Sequence, residues 1–243
     1  MDHTNFAVYS AAGNRQINED CARAEQHGDV SCFVLCDGLG GHGRGEVASG
    51  MAVETILSEL KDAPSADAEY LAAAMEAAQA RLLQEQEALH AESEMKTTAV
   101  VLMTDARSAV WAHIGDSRLY LFYKNKIVLR TLDHSVPQML VLMGEIKEKQ
   151  IRQHPDRNRL LRVLGCEWGT QRYACSEPRP LEKCQAFLLC SDGFWEFITE
   201  KMMCKYLKKS KTAAEWLRMM QEEVQRNGIG ADMDNNTAVA VRL

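Results

Sequence analysis

Apolar residues in the first ninety positions form short runs and then longer helical stripes. The runs at residues 6–12 and 30–36 are bounded by polar turns, which predicts two β-strands. Apolar residues then recur every three or four positions over 46–60 and 67–90, the period of an amphipathic α-helix. The first of these helices stops before Pro64, because proline cannot continue a helix. Two consecutive helices therefore follow the second strand.

The rest of the chain is dominated by short apolar runs that are typical of strands. In order, these runs lie at residues 97–103, 108–114, 118–123, 126–131, 186–190 and 236–243. The first four are joined by only a few residues, which favours antiparallel hairpins, since a parallel crossover needs about a dozen residues or more. Thr212 and Glu215 have the spacing of a capping box, which predicts a helix that ends at Asn227 and Gly228. This grouping of strands and helices indicates a layered α+β fold with antiparallel sheets.

The composition fits one sizeable core and excludes some classes of partner. The 243 residues suit one domain, and 46% hydrophobic with 26% charged residues is ordinary globular usage. A net charge of −6 offers no basic excess for nucleic acid. No apolar stretch of about 18 residues or more is present, and the N-terminal segment is too polar for a signal peptide. We expect a cytoplasmic monomer that binds neither nucleic acid nor membrane.

The cysteines are typical of a reduced protein. The chain has eight of them and no C-x-x-C pair. A zinc site formed by Cys32, Cys36 and His42 is conceivable, although this spacing matches no common template.

The glycine-rich loop after the second strand suggests a dinucleotide site at first. Gly38, Gly40 and Gly43 spell G-x-G-x-x-G. A dinucleotide site also requires a strand with a terminal acid after the next helix, but here another helix follows. In addition, the Asp37 carboxylate would repel a pyrophosphate at this position. The sequence therefore argues against a dinucleotide cofactor.

Several acidic residues occupy the same kind of position, next to a turn at the end of a predicted strand. They are Asp37, Asp116, Asp192 and Asp234. A single acid at such a position is ordinary in a turn. Strand ends lie together at the edge of a sheet, however, so four such carboxylates could converge there. Converging carboxylates repel one another unless protons or cations neutralise them, and all-oxygen ligand sets suit Mg²⁺ or Mn²⁺. The acids therefore indicate a site for divalent cations.

Seven motifs that span nearly the whole chain belong together. They are RQINED (15–20), DGLGGHGRGEVAS (37–49), GDSRLY (115–120), DHS (133–135), HPDRNRLLRVLG (154–165), SDGFWE (191–196) and DNNTAVAV (234–241). In this order they resemble the metal-dependent protein serine/threonine phosphatases of the PP2C (PPM) type, in their compact bacterial form. The resemblance implies one catalytic domain over 1–243, with a flap over 133–165. It also implies a four-layer α-β-β-α sandwich of two antiparallel sheets flanked by helices.

The resemblance assigns metal-binding roles to residues at the motif positions. It implies two Mn²⁺ or Mg²⁺ ions bridged by the Asp37 carboxylate, with the Gly38 carbonyl on one ion. The resemblance also implies that Asp192 and Asp234 bind the other ion. Asp116 matches the position that, with Asp192, holds a third and weaker ion. Residues implied around this ligand set are Glu19, Asp20 and Asn235.

The same resemblance implies the reaction. A metal-bridged hydroxide would attack the phosphorus of phosphoserine or phosphothreonine in line. Arg15 matches the arginine that grips the substrate phosphate, a task that suits a planar guanidinium. Many relatives carry a histidine as general acid two residues after the bridging aspartate, where this chain has Leu39. His42 or a metal-bound water is then the candidate acid.

The implied partners are phosphorylated proteins and the Ser/Thr kinase whose action the enzyme would reverse. The charged residues of segment 133–165 would either steer a phosphoprotein or form a solvated helix face. A catalytically silent module that binds phosphoproteins is the alternative from another class. Loss of a metal-binding aspartate would favour that alternative, and Asp37, Asp192 and Asp234 are all present.

Overall fold

The computed structural model of the chain describes residues 5–40, 44–91, 94–169 and 172–243. Its strands are β1 (Asn5–Ala11), β2 (Asp20–His27), β3 (Val30–Leu39), β4 (Lys96–Thr97), β5 (Ala99–Thr104), β6 (Ser108–Ile114), β7 (Arg118–Tyr123), β8 (Lys126–Arg130), β9 (Ala174–Cys175), β10 (Arg179–Pro180), β11 (Ala186–Cys190) and β12 (Asn236–Arg242). Its α-helices are α1 (Gly45–Leu60), α2 (Ala68–Leu89), α3 (Val136–Leu142), α4 (Asp192–Trp195), α5 (Glu200–Lys209) and α6 (Ala213–Asn227). Short 3₁₀ helices lie at Glu148–Gln153 and Leu181–Lys183.

The strands form two antiparallel sheets. The first sheet has the order β1-β12-β11-β7-β8, and the second has the order β10-β6-β5-β3-β2. In the second sheet, β4 also pairs with β3, and β9 pairs with β6. Hairpins such as β5-β6 and β7-β8 are antiparallel, as the short connections in the sequence predict.

Three apolar layers hold the sheets and helices together. Side chains of α1 and α2, such as Ile56 and Met75, pack on one face of the second sheet. Phe33 and Leu121 belong to the layer between the two sheets, and Trp216 of α6 belongs to the layer on the outer face of the first sheet. The four-layer α-β-β-α sandwich predicted from the resemblance is therefore confirmed.

Three elements differ from the sequence-based expectation. The polar segment after β1 contains β2, whose small and charged residues lack the apolar alternation of a typical strand. Strand β3 does not end before Asp37 but continues to Leu39, because Gly38 and Leu39 pair with β4. Helix α5 was not predicted, although Thr199 caps it and Met203 and Leu207 form its buried stripe.

Helix α6 begins where the sequence predicts. The Thr212 side chain accepts a hydrogen bond from the Glu215 N–H, as in a capping box. The Glu215 carboxylate accepts a 2.7 Å hydrogen bond from the N–H of Lys211. None of the helices in the described ranges is long and apolar enough to cross a bilayer.

Candidate active site

A cavity of about 450 Å³ lies where the ends of both sheets meet. Its lining residues are Arg15, Gln16, Ile17, Glu19, Asp37, Gly38, Leu39, Gly40, Asp116, Asn158, Leu160, Asp192, Asp234 and Asn235. The four aspartates singled out at strand ends all belong to this lining.

Register between neighbouring strands brings the first acids together. Asp20 and Asp37 are directly opposite each other on β2 and β3. Asp116 lies in the turn between β6 and β7, where its backbone carbonyl accepts a hydrogen bond of 3.0 Å from the Trp195 indole N–H. Trp195 belongs to α4, the short helix that begins with Asp192. This contact joins the segments that carry Asp116 and Asp192.

Asn235 connects the loop before β12 to the loop before β2. Its side-chain amide donates 2.9 Å hydrogen bonds to the carbonyls of Ala12 and Ile17. Its side-chain oxygen accepts the N–H of Glu19 at 2.8 Å. The neighbouring Asp234 and Glu19 are thereby held on the same side of the cavity.

The predicted phosphate-binding arginine is paired with a predicted metal ligand. Arg15 Nε and Nη2 each donate a 3.0 Å hydrogen bond to one oxygen of the Asp234 carboxylate. Hydrogen bonding to Asp234 raises the pKa of the Arg15 guanidinium further. A planar fork that fits a carboxylate in this bidentate way also fits two oxygens of a phosphate.

Desolvation and mutual repulsion perturb the carboxylates strongly. Burial raises the pKa of Asp37 and of Asp192 well above the ordinary value, and the charges of neighbouring aspartates raise it further. Burial also raises the pKa of Asp20 to about 6 and the pKa of Asp116 to about 7. Such groups are stabilised by protons or by cations, and clustered perturbed carboxyls are typical of functional sites.

The Glu19 segment is fixed at the start of helix α1. The Ser49 hydroxyl donates a 2.6 Å hydrogen bond to the Glu19 carbonyl, which also accepts the N–H of Gly38. Burial raises the pKa of the Glu19 carboxyl, and the nearby backbone N–H of Gly45, the first residue of α1, partly offsets this rise. A helix N-terminus favours a negative charge at this position.

The donor set suits hard divalent cations, but its members are not gathered around a common point. It consists of carboxylates and a backbone carbonyl, the ligands that Mg²⁺ and Mn²⁺ prefer. One buried oxygen of Asp20, Oδ1, has no hydrogen-bond donor, as expected of a group that accepts from a hydrated ion. Within the described ranges, no three Asp, Glu, His or Cys side chains stand close enough to share an ion as they are.

Some residues near the site were not anticipated from the sequence. Ser191 donates a 2.8 Å hydrogen bond to Asp20, and Asn158 and Leu160 bring segment 133–165 to the cavity. Ser191 opens a recognised motif, SDGFWE, so that motif was the available signal for it. Asn158 and Leu160 likewise lie inside a recognised motif, HPDRNRLLRVLG, so the motif was the available signal.

The candidate general acid and the alternative zinc ligands complete the set of residues singled out in the sequence. His42 lies outside the described residues, whereas Leu39 lines the cavity. The two cysteines of the zinc alternative, Cys32 and Cys36, are buried in the layer under α1 and α2.

Two arginines of segment 133–165 are held in ion pairs. Arg152 pairs with Glu200 at 2.5 Å, and Arg157 pairs with Glu196 at 2.7 Å. Ion-paired charges have a weaker field at a distance, so these two are poor candidates for steering a substrate.

Comparison with known proteins identifies the class that this fold and site define, the enzymes that remove phosphate from serine and threonine. The family model described as protein phosphatase 2C matches residues 9–235. The chain therefore belongs to the protein phosphatase 2C family, and it is a protein serine/threonine phosphatase. The alternative of a silent binding module has no support from these relatives.

Individual relatives agree over most of the chain. A serine/threonine phosphatase, stp, of Listeria monocytogenes is 34% identical over 210 residues, which cover 83% of this chain and 81% of that protein. The crystal structure of the Mycobacterium tuberculosis serine/threonine phosphatase PstP/Ppp has a TM-score of 0.85 and 28% identity, covering 99% of this chain and 98% of that chain. The structure of a PstP catalytic domain in complex with two manganese ions has a TM-score of 0.83 and 27% identity, covering 98% of this chain and 97% of that one.

Proposed function

We propose that the acidic cavity binds divalent cations and hydrolyses phosphoserine and phosphothreonine in phosphoproteins. The observation that carries this proposal is the convergence of Asp37, Asp116, Asp192 and Asp234 on one cavity. Their repulsion would be relieved by cations. The PstP relative with two manganese ions supports a site for two ions, either Mn²⁺ or Mg²⁺.

The lining of the cavity supports the ligand set that the family resemblance implies. We assign Asp37 and the Gly38 carbonyl to the ions, together with Asp192 and Asp234. Asp116 is assigned to a third ion, because it lines the same cavity and its carboxyl is buried. Residues proposed to orient water around the ions are Glu19, Asp20 and Asn235. When bound, the ions would supply a nucleophilic hydroxide from water at neutral pH and neutralise phosphate charge.

Arg15 is proposed to hold the substrate phosphate. It reaches the cavity while its guanidinium is engaged by Asp234. We expect a cation at Asp234 to compete with Arg15 for this carboxylate. The released N–H groups would then be available for two phosphate oxygens, which positions the phosphorus over the carboxylate cluster.

The leaving serine or threonine oxygen needs a proton. Leu39 lines the cavity and cannot donate one. His42 and a metal-bound water remain the proposed donors, and the pH dependence of a His42→Ala variant distinguishes them.

The proposed partners follow from the reaction. Phosphorylated proteins are the substrates, and a Ser/Thr kinase that phosphorylates them is the opposing enzyme. We further propose that the protein acts as a monomer in the cytoplasm. Segment 133–165 is proposed as a flap, since Asn158 and Leu160 carry it to the cavity rim.

Hydrolysis of a small aryl phosphate tests the proposal. The wild-type protein is assayed with Mn²⁺ and with chelator, beside Asp192→Asn and the control Asp62→Asn. Asp62 is exposed in the connection between α1 and α2, so its variant matches the change in charge away from the cavity. We expect activity only with Mn²⁺, and a loss of about a hundredfold or more in Asp192→Asn, because the metals contribute several kcal/mol. Metal-independent activity, or full activity in Asp192→Asn, would contradict the proposal.

A further inference from the structure

The segments that carry Asp37 and Asp116 meet at one buried residue, Thr98, which lies between β4 and β5. The Asp37 N–H donates a 3.0 Å hydrogen bond to Thr98 Oγ1. In return, the Thr98 N–H donates a 2.9 Å hydrogen bond to the Asp37 carbonyl. Thr98 thus contacts both the N–H and the carbonyl of Asp37, and the Thr97 hydroxyl donates a further 2.9 Å hydrogen bond to that carbonyl.

The same Thr98 hydroxyl reaches the turn that carries Asp116. Thr98 Oγ1 and Ser117 Oγ are 2.8 Å apart, and either hydroxyl can be the donor. Thr98 and Ser117 are both buried, so this contact does not compete with bulk water. Hydrogen bonds therefore run without interruption from the Asp37 backbone through Thr98 to the residue next to Asp116.

Close packing supports this connection. Gly115, the residue before Asp116, has a φ of +96°, and a Cβ added there would come within 2.5 Å of the Thr98 methyl carbon. The turn therefore rests directly on the Thr98 side chain, which leaves little freedom for Asp116 to shift relative to Asp37.

We propose that Thr98 and Ser117 are positioning residues that set the separation of the Asp37 and Asp116 carboxylates for cation binding. Neither hydroxyl lines the cavity, so both act through the backbone of the residues that do. The inference rests on the proposed function, because it concerns the assembly of the same cation site. Partners that orient metal ligands typically affect affinity about 10- to 100-fold.

Calorimetric titration of the protein with Mn²⁺ tests the inference without relying on turnover. Thr98→Val keeps the shape and removes the hydroxyl, Thr98→Ser keeps the hydroxyl, and Ser117→Ala removes the second hydroxyl. The control Thr104→Val makes the same change at the far end of β5, where Thr104 is also buried. We expect Thr98→Val and Ser117→Ala to weaken Mn²⁺ binding about tenfold. Thr98→Ser and Thr104→Val should bind like the wild type.

Mn²⁺ binding of the variants distinguishes an effect of the hydroxyls from an effect of packing. Because the two hydroxyls act in one chain, the double variant Thr98→Val with Ser117→Ala should bind no more weakly than the weaker single variant. Wild-type binding in both Thr98→Val and Ser117→Ala would overturn the inference alone. Thr98→Ser as weak as Thr98→Val would also overturn it, since packing of the methyl group and not the hydroxyl would then be responsible.

Unfolding of Thr98→Val and a lack of Mn²⁺ binding by the wild-type protein are the two remaining results. If circular dichroism shows that Thr98→Val is unfolded, Ser117→Ala decides, and unchanged binding in that variant overturns the inference. If the wild-type protein binds no Mn²⁺, the proposed function fails and the inference fails with it.

Discussion

Replacement of Gly38 by alanine should disrupt both the stability and the activity of the protein. Gly38 follows Asp37 on β3, and three backbone atoms surround the space where a side chain would begin. A Cβ at this position would lie 2.2 Å from the Gly45 carbonyl oxygen, 2.4 Å from the Gly45 carbonyl carbon and 2.7 Å from the Glu19 carbonyl oxygen. Backbone atoms cannot rotate away as a flexible side chain can, so the strand, the Glu19 loop or helix α1 must move.

The size of the effect follows from this clash. Overpacking of a tight site costs about 1–3 kcal/mol, and we expect the upper end, about 3 kcal/mol, because all three contacts are with backbone. For a chain of this length, 3 kcal/mol corresponds to a fall in melting temperature of about 6–12 °C. A displacement of Asp37 by about 1 Å would in addition lower kcat/KM roughly a hundredfold.

Thermal unfolding and aryl phosphatase assays with Mn²⁺ measure both effects. Gly50→Ala is the matched control, because nothing lies within 4 Å of a Cβ at that position in α1. Alanine in a helix interior stabilises by about 0.5–1 kcal/mol relative to glycine, so the control should melt slightly higher than the wild type. A Gly38→Ala protein that has the melting temperature and the activity of the wild type would refute the close approach of β3 and α1.

Two further predictions concern the buried charges. In chelator-treated protein, the contribution of the cavity carboxyls to stability should fall as the pH rises from about 4 to about 8. The reason is that the pKa of Asp20 in the folded state is about 6 and that of Asp116 is about 7, above the ordinary range of an aspartate. The stability that these two carboxyls contribute is fully present below their pKa in the unfolded state, and it is lost as the pH rises through their pKa in the folded state. Mn²⁺ should therefore raise the melting temperature more at pH 8 than at pH 5. A rise in melting temperature on adding Mn²⁺ that is no larger at pH 8 than at pH 5 would contradict this. Asp133→Asn should cost about 3–5 kcal/mol in urea unfolding, because Arg118 would lose its buried charge partner at 2.6 Å. The exposed-pair control Glu222→Gln should change stability by less than about 1 kcal/mol, and equal effects in both variants would count against the buried pair.

Periodic segments of the fold could be predicted from the sequence because their patterns are local. Helices α1 and α2 and the hairpins of β5 to β8 lie within a residue or two of the predicted bounds. Strand β2 could not be recognised, since its residues are small or charged and its place is set by pairing with β3. The continuation of β3 past Asp37 likewise depends on β4, which is about sixty residues away in the chain.

The chemistry of the site could be predicted, whereas its internal contacts could not. Aspartates at strand ends and the family motifs were sufficient to single out Asp37, Asp192 and Asp234, which line one cavity. The pairing of Arg15 with Asp234 joins residues 219 positions apart, and no local pattern specifies it. In the sequence, Thr98 is one polar residue within the predicted strand 97–103, and only the folded chain brings it to Asp37 and Ser117.

Phosphate release from a phosphothreonine peptide, measured for the wild type and for Asp37→Asn, tests most directly whether the carboxylate cluster performs cation-dependent hydrolysis. We expect wild-type release that requires Mn²⁺ and stops with chelator. Asp37→Asn should be about a thousandfold slower, because loss of metal-based stabilisation costs several kcal/mol. Release that continues in chelator, or an Asp37→Asn rate equal to the wild type, would contradict the account.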